Sequence, residues 1–449
     1  MITIYTASWL LQSASSQIEN GALAIEGANI VAVGSRQFIT EKFPTASVHE
    51  FPESAIIPGL INTHTHLELT VMRGYLENEE VDFFAWLRKL TIARKELMTP
   101  DDIRVSATWG ACEAVRSGIT CVGDASDSAA MSMLALKEVG LRGIVFQESF
   151  GPEPSLAYHH FEELKTKVAN LREAANEVVR VGVSPHAAYT VCSSQLELIA
   201  EFSQAENLPL MMHAAESAAE DSLIRDGCGI FADGLAKRNI HWSTPGVSPI
   251  QYLRKIGVLE TRPLLAHCIR VDEKDIDTLA ETKSRIAHCP KSNAKFGHGR
   301  APFARFLAER LDVGLGSDSV ASNNTCDILE ESRYAALTAR TDARVSAEQV
   351  FSVATVGGAS CLGLGGATGQ LEAGAQADFA VISLNGVHQV PIYDPVVPVI
   401  FSSSGRDVVM TVVAGKEVFR DGHVVNVDEE RLRARMREIA ATLEPMQFK

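Results

Sequence analysis

Short apolar runs alternate with longer amphipathic segments over most of the chain. From Ala55 onward, apolar runs of about five to eight residues are followed by stretches rich in Ala, Leu, Glu, Lys and Arg, a pattern that predicts parallel strands covered by helices. Eight runs fit this pattern: Ile56 to His66, Ile119 to Ala125, Gly143 to Glu148, Val179 to His186, Leu208 to Glu216, Leu264 to Val271, Arg285 to Ser292 and Val313 to Asp318. Eight strand-helix units are the number that closes a (β/α)8 barrel.

The ends of these runs favour the barrel over an open sheet. Each run ends in polar or ionisable residues, and active sites of such barrels are built at the carboxyl ends of the strands. An open doubly wound sheet would need a glycine-rich first turn between strand and helix, whereas the first run ends in His64-Thr65-His66. We therefore predict an α/β fold of the TIM-barrel type.

The two ends of the chain have a different pattern. Residues 2–34 indicate short strands, strand signals return at 378–384 and 410–425, and residues 428–449 indicate an amphipathic helix. Each β-rich flank is too short to build a core alone, so we expect both to form one small β-sandwich. The expected divisions are residues 1–57 for the first part of the sandwich, 58–366 for the barrel, and 367–449 for the second part and the helix.

Composition and charge narrow the function classes. The 449 residues are 46% hydrophobic and 22% charged, which is typical of globular proteins. The net charge of -15 opposes a surface that binds phosphates, so no nucleic-acid partner is expected. Eight cysteines without a C-x-x-C pair indicate buried thiols of a reducing compartment. No basic residue precedes Arg36 and no apolar run reaches roughly 18 residues, so we expect a cytoplasmic protein without a membrane partner.

Four residues at strand ends form a candidate metal site. His64 and His66 are two residues apart, so on a strand both imidazoles point to the same face, toward the barrel mouth. His213 lies in the fifth run and Asp318 ends the eighth. Three imidazoles and one carboxylate suit Zn²⁺, which accepts both ligand types and keeps an open position for water. Each residue taken singly is also compatible with a hydrogen-bonded core histidine or a helix-capping aspartate.

Three further residues are candidates for proton transfer and substrate contact. Glu216 follows His213 by three residues and is expected beside the metal, where a buried carboxyl group can carry protons. His267, in the sixth run, can orient the attacking hydroxide, and His186, which ends the fourth run, can donate to a substrate heteroatom. The alternative for both histidines is a structural hydrogen bond at a strand end.

Taken together, these segments resemble the amidohydrolase superfamily, in its branch of mononuclear hydrolytic deaminases and chlorohydrolases. The motifs are Gly59 to His66, Ser184 to Ala187, His213 to Glu216, Ala266-His267, Cys289 to Asn293 and Gly316 to Ser319. The resemblance implies that His64, His66, His213 and Asp318 bind the metal. It also implies that Asp318 takes the proton of water, Glu216 shuttles protons, His267 stabilises hydroxide and His186 contacts substrate, with Ser319 among the substrate-binding residues.

The resemblance also bears on the number of metal ions and on assembly. Two-metal members of the superfamily bridge their metals with a carboxylated lysine at the end of the fourth strand, and here the segment from Val179 to His186 contains no lysine. We therefore expect one divalent metal per chain, Zn²⁺ with Fe²⁺ as the alternative. Relatives are commonly dimers, which implies a homo-oligomer.

The substrate implied by the resemblance is a small amino-substituted aza-aromatic ring. Deaminases of S-adenosylhomocysteine and methylthioadenosine carry a glutamate directly before the Trp after strand one and a basic residue after strand three. This chain has Ala85 and Glu148 to Phe150 at those places. The segments His64 to Leu69, Phe83 to Leu87, His213 to Ser217 and Trp242 to Pro249 look more like aminodeoxyfutalosine deaminases. That 5′-modified adenine nucleoside is therefore the first expectation.

Several alternatives stay open. They are deamination of S-adenosylhomocysteine, methylthioadenosine or another nucleobase or pterin, then chloride hydrolysis on a triazine-type ring, and a metal-binding scaffold that has lost catalysis. For the substrate pocket, Phe83 and Trp86 are candidates for ring stacking, and a core-facing helix stripe is the alternative. Arg73 and Arg88 are candidates for binding a substrate carboxylate, and a solvated surface is the default for each.

Overall fold

The computed structural model describes residues 1–80 and 82–444. Its strands are β1 (Ile2–Ser13), β2 (Ser16–Glu26), β3 (Asn29–Ser35), β4 (Ser47–Pro58), β5 (Leu60–Thr65), β6 (Ile119–Ser126), β7 (Arg142–Ser149), β8 (Val179–Pro185), β9 (Met211–Ala214), β10 (Leu264–His267), β11 (Arg285–His288), β12 (Asp312–Leu315), β13 (Phe379–Ser383), β14 (Val408–Val413), β15 (Lys416–Arg420) and β16 (His423–Val424).

The α-helices are α1 (Arg36–Lys42), α2 (Phe83–Ile92), α3 (Pro100–Arg116), α4 (Ala129–Val139), α5 (Ala157–Ala174), α6 (Ser193–Ala205), α7 (Ala218–Asp226), α8 (Ile230–Lys237), α9 (Pro249–Lys255), α10 (Glu273–Thr282), α11 (Pro290–Lys295), α12 (Phe303–Ala308), α13 (Val320–Asn323), α14 (Ile328–Ala339), α15 (Ala347–Ser352), α16 (Gly358–Cys361), α17 (Val396–Phe401) and α18 (Glu429–Leu443). Short 3₁₀ segments span Leu67–Met72, Glu77–Glu79, Pro154–Leu156, Leu259–Thr261 and Gly405–Asp407, and π-helical turns span Ala93–Leu97 and Val353–Gly357. Within the described residues, no helix combines the length and apolarity needed to cross a membrane.

Strands β5 to β12 form a closed parallel barrel. They pair in the orders β5-β6-β7-β8 and β12-β11-β10-β9, and the two halves meet through bridges between Thr65 and Asp318 and between Val183 and Leu210. Each of the eight predicted runs overlaps one of these strands, so the prediction of a (β/α)8 barrel is confirmed. The carboxyl ends of all eight strands therefore surround one mouth.

The barrel closes because its strands carry apolar residues on both faces. Side chains that point inward form one cluster, which includes Ile61, Ile144 and Phe146, while outward side chains pack against the helices. Local signals fix where helices begin. Helix α3, for example, starts after Thr99, which forms a reciprocal capping box with Asp102.

The chain ends build an additional β domain, as predicted. Their strands are hydrogen-bonded into one continuous sheet in the order β16-β15-β14-β13-β4-β1-β2-β3. The antiparallel pair of β4 and β13 joins the two ends of the chain, and strands from both ends share one apolar core. Helix α18 follows this sheet, and residues 445–449 of the predicted terminal helix lie outside the described residues. The predicted domain boundaries stay predictions.

A buried ion pair connects the two parts. The guanidinium of Arg142, at the amino end of β7, donates from Nε to Asp378 Oδ2 at 2.6 Å and from Nη2 to Oδ1 at 3.1 Å. Asp378 also accepts from the backbone N–H of Ala414 at 2.6 Å. Because this pair lies at the amino ends of the barrel strands, it is remote from the mouth.

The cysteines deviate from expectation at one position. All eight are free thiols and seven are buried, whereas Cys228 is exposed. Cys228 directly follows Gly227, which ends helix α7 in a left-handed conformation and turns the chain to the surface.

Candidate active site

Strands β5, β9 and β12 bring the four predicted metal ligands together at the barrel mouth. The distance between His66 Nε2 and His213 Nε2 is 3.4 Å. Asp318 Oδ1 lies 3.6 Å from His64 Nε2 and 3.7 Å from His66 Nε2. All four side chains are buried. The short distances between their nitrogens and the carboxylate oxygen show that these atoms surround one shared space.

The protonation of these imidazoles fits a cation. His213 Nδ1 lies 2.9 Å from the carbonyl oxygen of His186. Because a carbonyl only accepts, His213 Nδ1 carries the hydrogen and His213 Nε2 presents a lone pair. Burial lowers the pKa of His66 to about 3, which keeps that ring neutral. The Nε2 atoms of His66 and His213 lie 3.4 Å apart, a spacing at which a cation can be held between two neutral imidazoles.

The distances also fit a tetrahedral site. Ligands held about 2.0–2.1 Å from Zn²⁺ at tetrahedral angles lie about 3.3–3.4 Å from one another. The observed separations of 3.4 to 3.7 Å are close to this value. The residues present therefore fit one divalent metal ion.

Asp318 is held as a carboxylate. Its Oδ2 accepts from the hydroxyls of Ser292 at 2.6 Å and Ser322 at 2.8 Å, and its Oδ1 accepts from the Ser319 N–H at 2.7 Å. Burial raises its pKa, but the neighbouring imidazoles of His64 and His267 outweigh burial and hold the pKa well below its usual value. A negative charge here complements a bound cation.

Backbone strain is concentrated at the same strand ends. Ala215, His267 and Asp318 have φ values of +53°, +76° and +56°, in the left-handed region that side chains other than glycine seldom adopt. Such conformations persist where the surrounding structure fixes them, commonly at active sites. Here they turn His267 and Asp318 toward the ligand set and direct Glu216 beside it.

Glu216 lies next to the ligand set without belonging to it. Its Oε2 accepts from the Tyr189 hydroxyl at 3.3 Å, and its Oε1 lies 3.6 Å from His267 Nε2 and 3.9 Å from His298 Nε2. Burial raises its pKa, and the neighbouring imidazole of His267 opposes that shift. A carboxyl group with a raised pKa can both hold and release a proton.

His267 and His186 are oriented by neighbours. His267 Nδ1 lies 2.9 Å from Asn293 Oδ1, and because the amide oxygen accepts, His267 presents a free Nε2 to Glu216. His186 Nδ1 lies 2.9 Å from Thr190 Oγ1, and its ring lies 4.6 Å from the His213 ring. Burial lowers the pKa of His186 to about 3.

A cavity of about 170 Å³ opens over this cluster. One wall carries Phe83, Trp86 and Phe296. The ring centroid of Phe296 lies 5.1 Å from that of Phe83 and 5.0 Å from that of Trp86. The lining also includes Phe150 and His186, whose ring centroids are 4.8 Å apart. The predicted residues that line the cavity are His66, Phe83, Trp86, His186, His213, Glu216, His267, Asp318 and Ser319. Aromatic walls of this kind suit a planar ring.

Both arginines predicted to bind substrate lie outside the lining of the cavity, contrary to expectation. Arg73 follows the 3₁₀ turn Leu67–Met72, which carries it away from the mouth to an ion pair with Glu113. Arg88 is exposed because helix α2 turns Phe83 and Trp86 inward and position 88 to solvent. Neither arginine lines the cavity, and their role in binding a substrate carboxylate stays a prediction.

The cavity also contains residues that the sequence reasoning missed as site residues. They are Arg94, Glu148, Phe150, Tyr189 and Phe296 as lining residues, with His298 packed behind Phe83. Arg94 could have been found, since Phe83, Trp86, Leu90 and Arg94 recur at helical spacing. His298 lies in a loop between Gly297 and Gly299 and has no such signal.

Comparison with protein families shows one match. The model of the amidohydrolase family matches residues 55–418. Among curated proteins, the chain is 30% identical over 436 residues to 5-methylthioadenosine/S-adenosylhomocysteine deaminase 1 of Syntrophus aciditrophicus, covering 96% of this chain and 94% of the relative. The deaminase of the same name in Natronomonas pharaonis is 32% identical over 448 residues, covering 96% and 98%.

Solved structures share the fold. An adenosine deaminase from Xanthomonas campestris with bound zinc superposes with a TM-score of 0.88 at 24% identity, covering 99% of this chain and 98% of the other. Atrazine chlorohydrolase from Arthrobacter aurescens complexed with zinc superposes with a TM-score of 0.84 at 24% identity, covering 98% and 100%.

Proposed function

Because this chain belongs to the amidohydrolase family, and is thereby a hydrolase that acts on carbon-nitrogen bonds, we propose that it removes the amino group from a 5′-modified adenine nucleoside. The observation that carries the proposal is the position of Glu216, a buried carboxyl group with a raised pKa, beside four converging metal ligands. A scaffold without catalysis would have no use for this arrangement.

The names of the curated relatives favour one group of candidate nucleosides. Both relatives described above are named for methylthioadenosine and S-adenosylhomocysteine, and they align over nearly the whole chain. Aminodeoxyfutalosine, the first expectation from the sequence, has no comparable support. We therefore propose a 5′-thio-substituted adenosine as the substrate class, with aminodeoxyfutalosine as the second candidate.

His64, His66, His213 and Asp318 are proposed to hold one Zn²⁺ per chain. The geometry described above supports this, and the similar structures named above contain zinc. Such an ion supplies an activated water as nucleophile at neutral pH and keeps an open position for it.

The side chains of this protein divide the remaining work. Glu216 carries a proton to the ring nitrogen next to the amino-bearing carbon, and Asp318 takes a proton from the attacking water. His267 orients that water through Nε2 because Asn293 holds its other nitrogen. His186 contacts a second heteroatom of the ring, and Phe83 and Trp86 support the ring from one wall.

An ammonia-release assay tests the proposal. Zinc-loaded protein is incubated with methylthioadenosine, S-adenosylhomocysteine, aminodeoxyfutalosine, adenosine, guanine and a chlorotriazine. We expect ammonia from the 5′-modified adenine nucleosides, loss of activity with a chelator, and recovery with Zn²⁺. Chloride release from the triazine without ammonia from any nucleoside would instead support a chlorohydrolase.

A further inference from the structure

Glu148, at the carboxyl end of β7, has no part in the reaction proposed above. Among the described residues that line the cavity, Glu148, Glu216 and Asp318 are the carboxylates, and the other two already have assigned tasks. Glu148 is 3% exposed, and its Oε1 has no hydrogen-bond partner in the described part of the chain. A buried oxygen of this kind is costly unless a ligand satisfies it.

The position of Glu148 separates it from the metal ligands. Its Oε1 lies 3.9 Å from His66 Nδ1, whereas Nε2, on the other side of that ring, faces the ligand set. The carboxylate of Glu148 also lies within 4.8 Å of ring nitrogens of His186 and His213. A substrate that contacts His186 therefore passes directly beside Glu148.

Arg94 supplies donors next to this acceptor. It is buried in the π-helical turn after α2, lines the cavity, and lies 3.8 Å from Glu148 Oε2 through Nη1. It donates from Nη1 to Glu68 at 2.9 Å and from Nη2 to Asp127 at 3.2 Å, which fixes its guanidinium. Because a guanidinium has five N–H donors, these two bonds leave donors for a ligand. An acceptor beside a donor matches a hydroxyl group, which donates and accepts through one oxygen.

The chemistry of an adenine nucleoside then limits what can meet Glu148. The 6-amino group must lie at the ligand set, where it is replaced. In adenosine and methylthioadenosine the remaining strong donors are then the hydroxyls of the ribose, and these two nucleosides lack the ammonium group that S-adenosylhomocysteine carries at its far end. We propose that Glu148 and Arg94 bind the ribose hydroxyls of the substrate and so restrict the enzyme to ribonucleosides. This inference rests on the proposed function and adds the recognition of the sugar.

Substrates that lack one hydroxyl test the inference without changing the protein. The kcat/KM of the zinc-loaded enzyme is measured for adenosine, 2′-deoxyadenosine and 3′-deoxyadenosine. We expect at least one deoxynucleoside to be poorer than adenosine by about tenfold or more, the scale of a lost hydrogen bond to a charged group. Equal kcat/KM for all three would overturn the inference and leave the proposed function intact. No turnover of any adenine nucleoside would overturn both.

Variants identify the residue responsible. Glu148→Met keeps the length of the side chain but removes the acceptor, so it should lower kcat/KM for adenosine. The ratio of kcat/KM for adenosine to kcat/KM for the poorer deoxynucleoside should then fall close to one. Glu148→Gln, which keeps one acceptor, should give an intermediate ratio and serves if the methionine variant does not fold. An unchanged ratio in both variants would contradict the assignment.

Asp127→Asn is the matched control. Asp127 pairs with the same guanidinium but lies outside the metal cavity, so the variant should keep the preference for the ribonucleoside. Equal loss of preference in Asp127→Asn and Glu148→Met would show that Glu148 only positions Arg94, and that Glu148 itself does not bind the sugar. Metal content measured in parallel should be unchanged, and its loss in Glu148→Met would assign the residue to support of His66 instead.

Discussion

At the scale of single residues, Glu216 is the side chain on which the proposed chemistry depends most. Glu216→Gln fills nearly the same volume but cannot exchange protons, so turnover should fall by about a hundredfold or more. The metal content and the melting temperature should stay near those of the unchanged protein, since Glu216 is not among the four proposed ligands. Deamination at a near-normal rate in this variant would remove Glu216 from the mechanism.

Asn293 is a positioning residue whose effect should be separable from metal binding. Asn293→Leu removes the acceptor that holds His267 Nδ1, so kcat should fall by about 10- to 100-fold with metal content preserved. Asn293→Asp restores an acceptor at the same place and should recover part of the lost kcat. If the aspartate variant is as slow as the leucine variant, orientation of His267 does not explain the effect.

How far single residues can be predicted depends on how local their signals are. The positions of His64, His66, His213 and Asp318 at the barrel mouth could be predicted because each lies within three residues of the carboxyl end of a strand. His298 could not, because its loop reaches the site only through packing against Phe83 and Phe296. The position of Arg73 outside the cavity could not be predicted either, because the sequence does not reveal the 3₁₀ turn Leu67–Met72 that precedes it.

At the scale of elements, helix α14 supports the segment that carries Ser292 and Asn293. Glu331 of this helix is fully buried and accepts from Asn323 Nδ2 at 2.6 Å and from the Lys291 N–H at 3.2 Å. Burial raises its pKa to about 8, and the charge of Lys291 opposes the shift. The folded protein therefore keeps this proton at a pH at which the unfolded chain has lost it.

This pKa predicts a pH dependence of stability. A raised pKa in the folded state stabilises the protein at low pH, and the contribution is lost as pH rises toward about 8. The melting temperature of Glu331→Gln, relative to the unchanged protein, should therefore increase as pH rises from about 5 to 9. Thermal melts at several pH values measure this difference.

Glu330→Gln is the control on the same helix. The Glu330 carboxylate is half-buried and pairs with Lys291, and although burial opposes it, the ammonium lowers its pKa. Glu330 is then ionised in both the folded and the unfolded protein from about pH 5 to 9. The difference in melting temperature between Glu330→Gln and the unchanged protein should therefore stay constant over this range. A constant difference for Glu331→Gln as well would contradict the raised pKa of Glu331.

Elements were more predictable than their contacts. The eight barrel strands could be located because apolar runs and polar ends recur at each, and the inward stripe of α2 follows from helical spacing. The pairing of β4 with β13 could not be read from the sequence, because its partners are separated by more than three hundred positions and share only apolar composition. For the same reason the sequence predicts that the two flanks form one small β-sandwich, but it does not reveal that their strands are joined in a single sheet or in which order.

At the scale of the whole molecule, the pair of Arg142 and Asp378 should hold the two parts of the fold together. Removing one partner leaves the other charge buried, so Asp378→Asn should lower the free energy of unfolding by about 3–5 kcal/mol. Because the pair is remote from the barrel mouth, kcat at a temperature where the variant is folded should be unchanged. Urea titration and an activity assay measure the two quantities.

An exposed ion pair provides the comparison. Arg172 and Glu206 lie at the surface of the barrel, and Arg172→Met should change the free energy of unfolding by less than about 1 kcal/mol. An equally small effect of Asp378→Asn would mean that the buried pair contributes little to stability.

The central claim is that this molecule replaces the amino group of an adenine nucleoside with oxygen from water. The most direct measurement is mass spectrometry of the products formed from methylthioadenosine by the zinc-loaded protein in heavy-oxygen water, with ammonia determined in the same sample. We expect one ammonia for each nucleoside consumed and a product that carries one heavy oxygen on an otherwise intact nucleoside. An unchanged nucleoside, or a product cleaved between ring and sugar without release of ammonia, would contradict it.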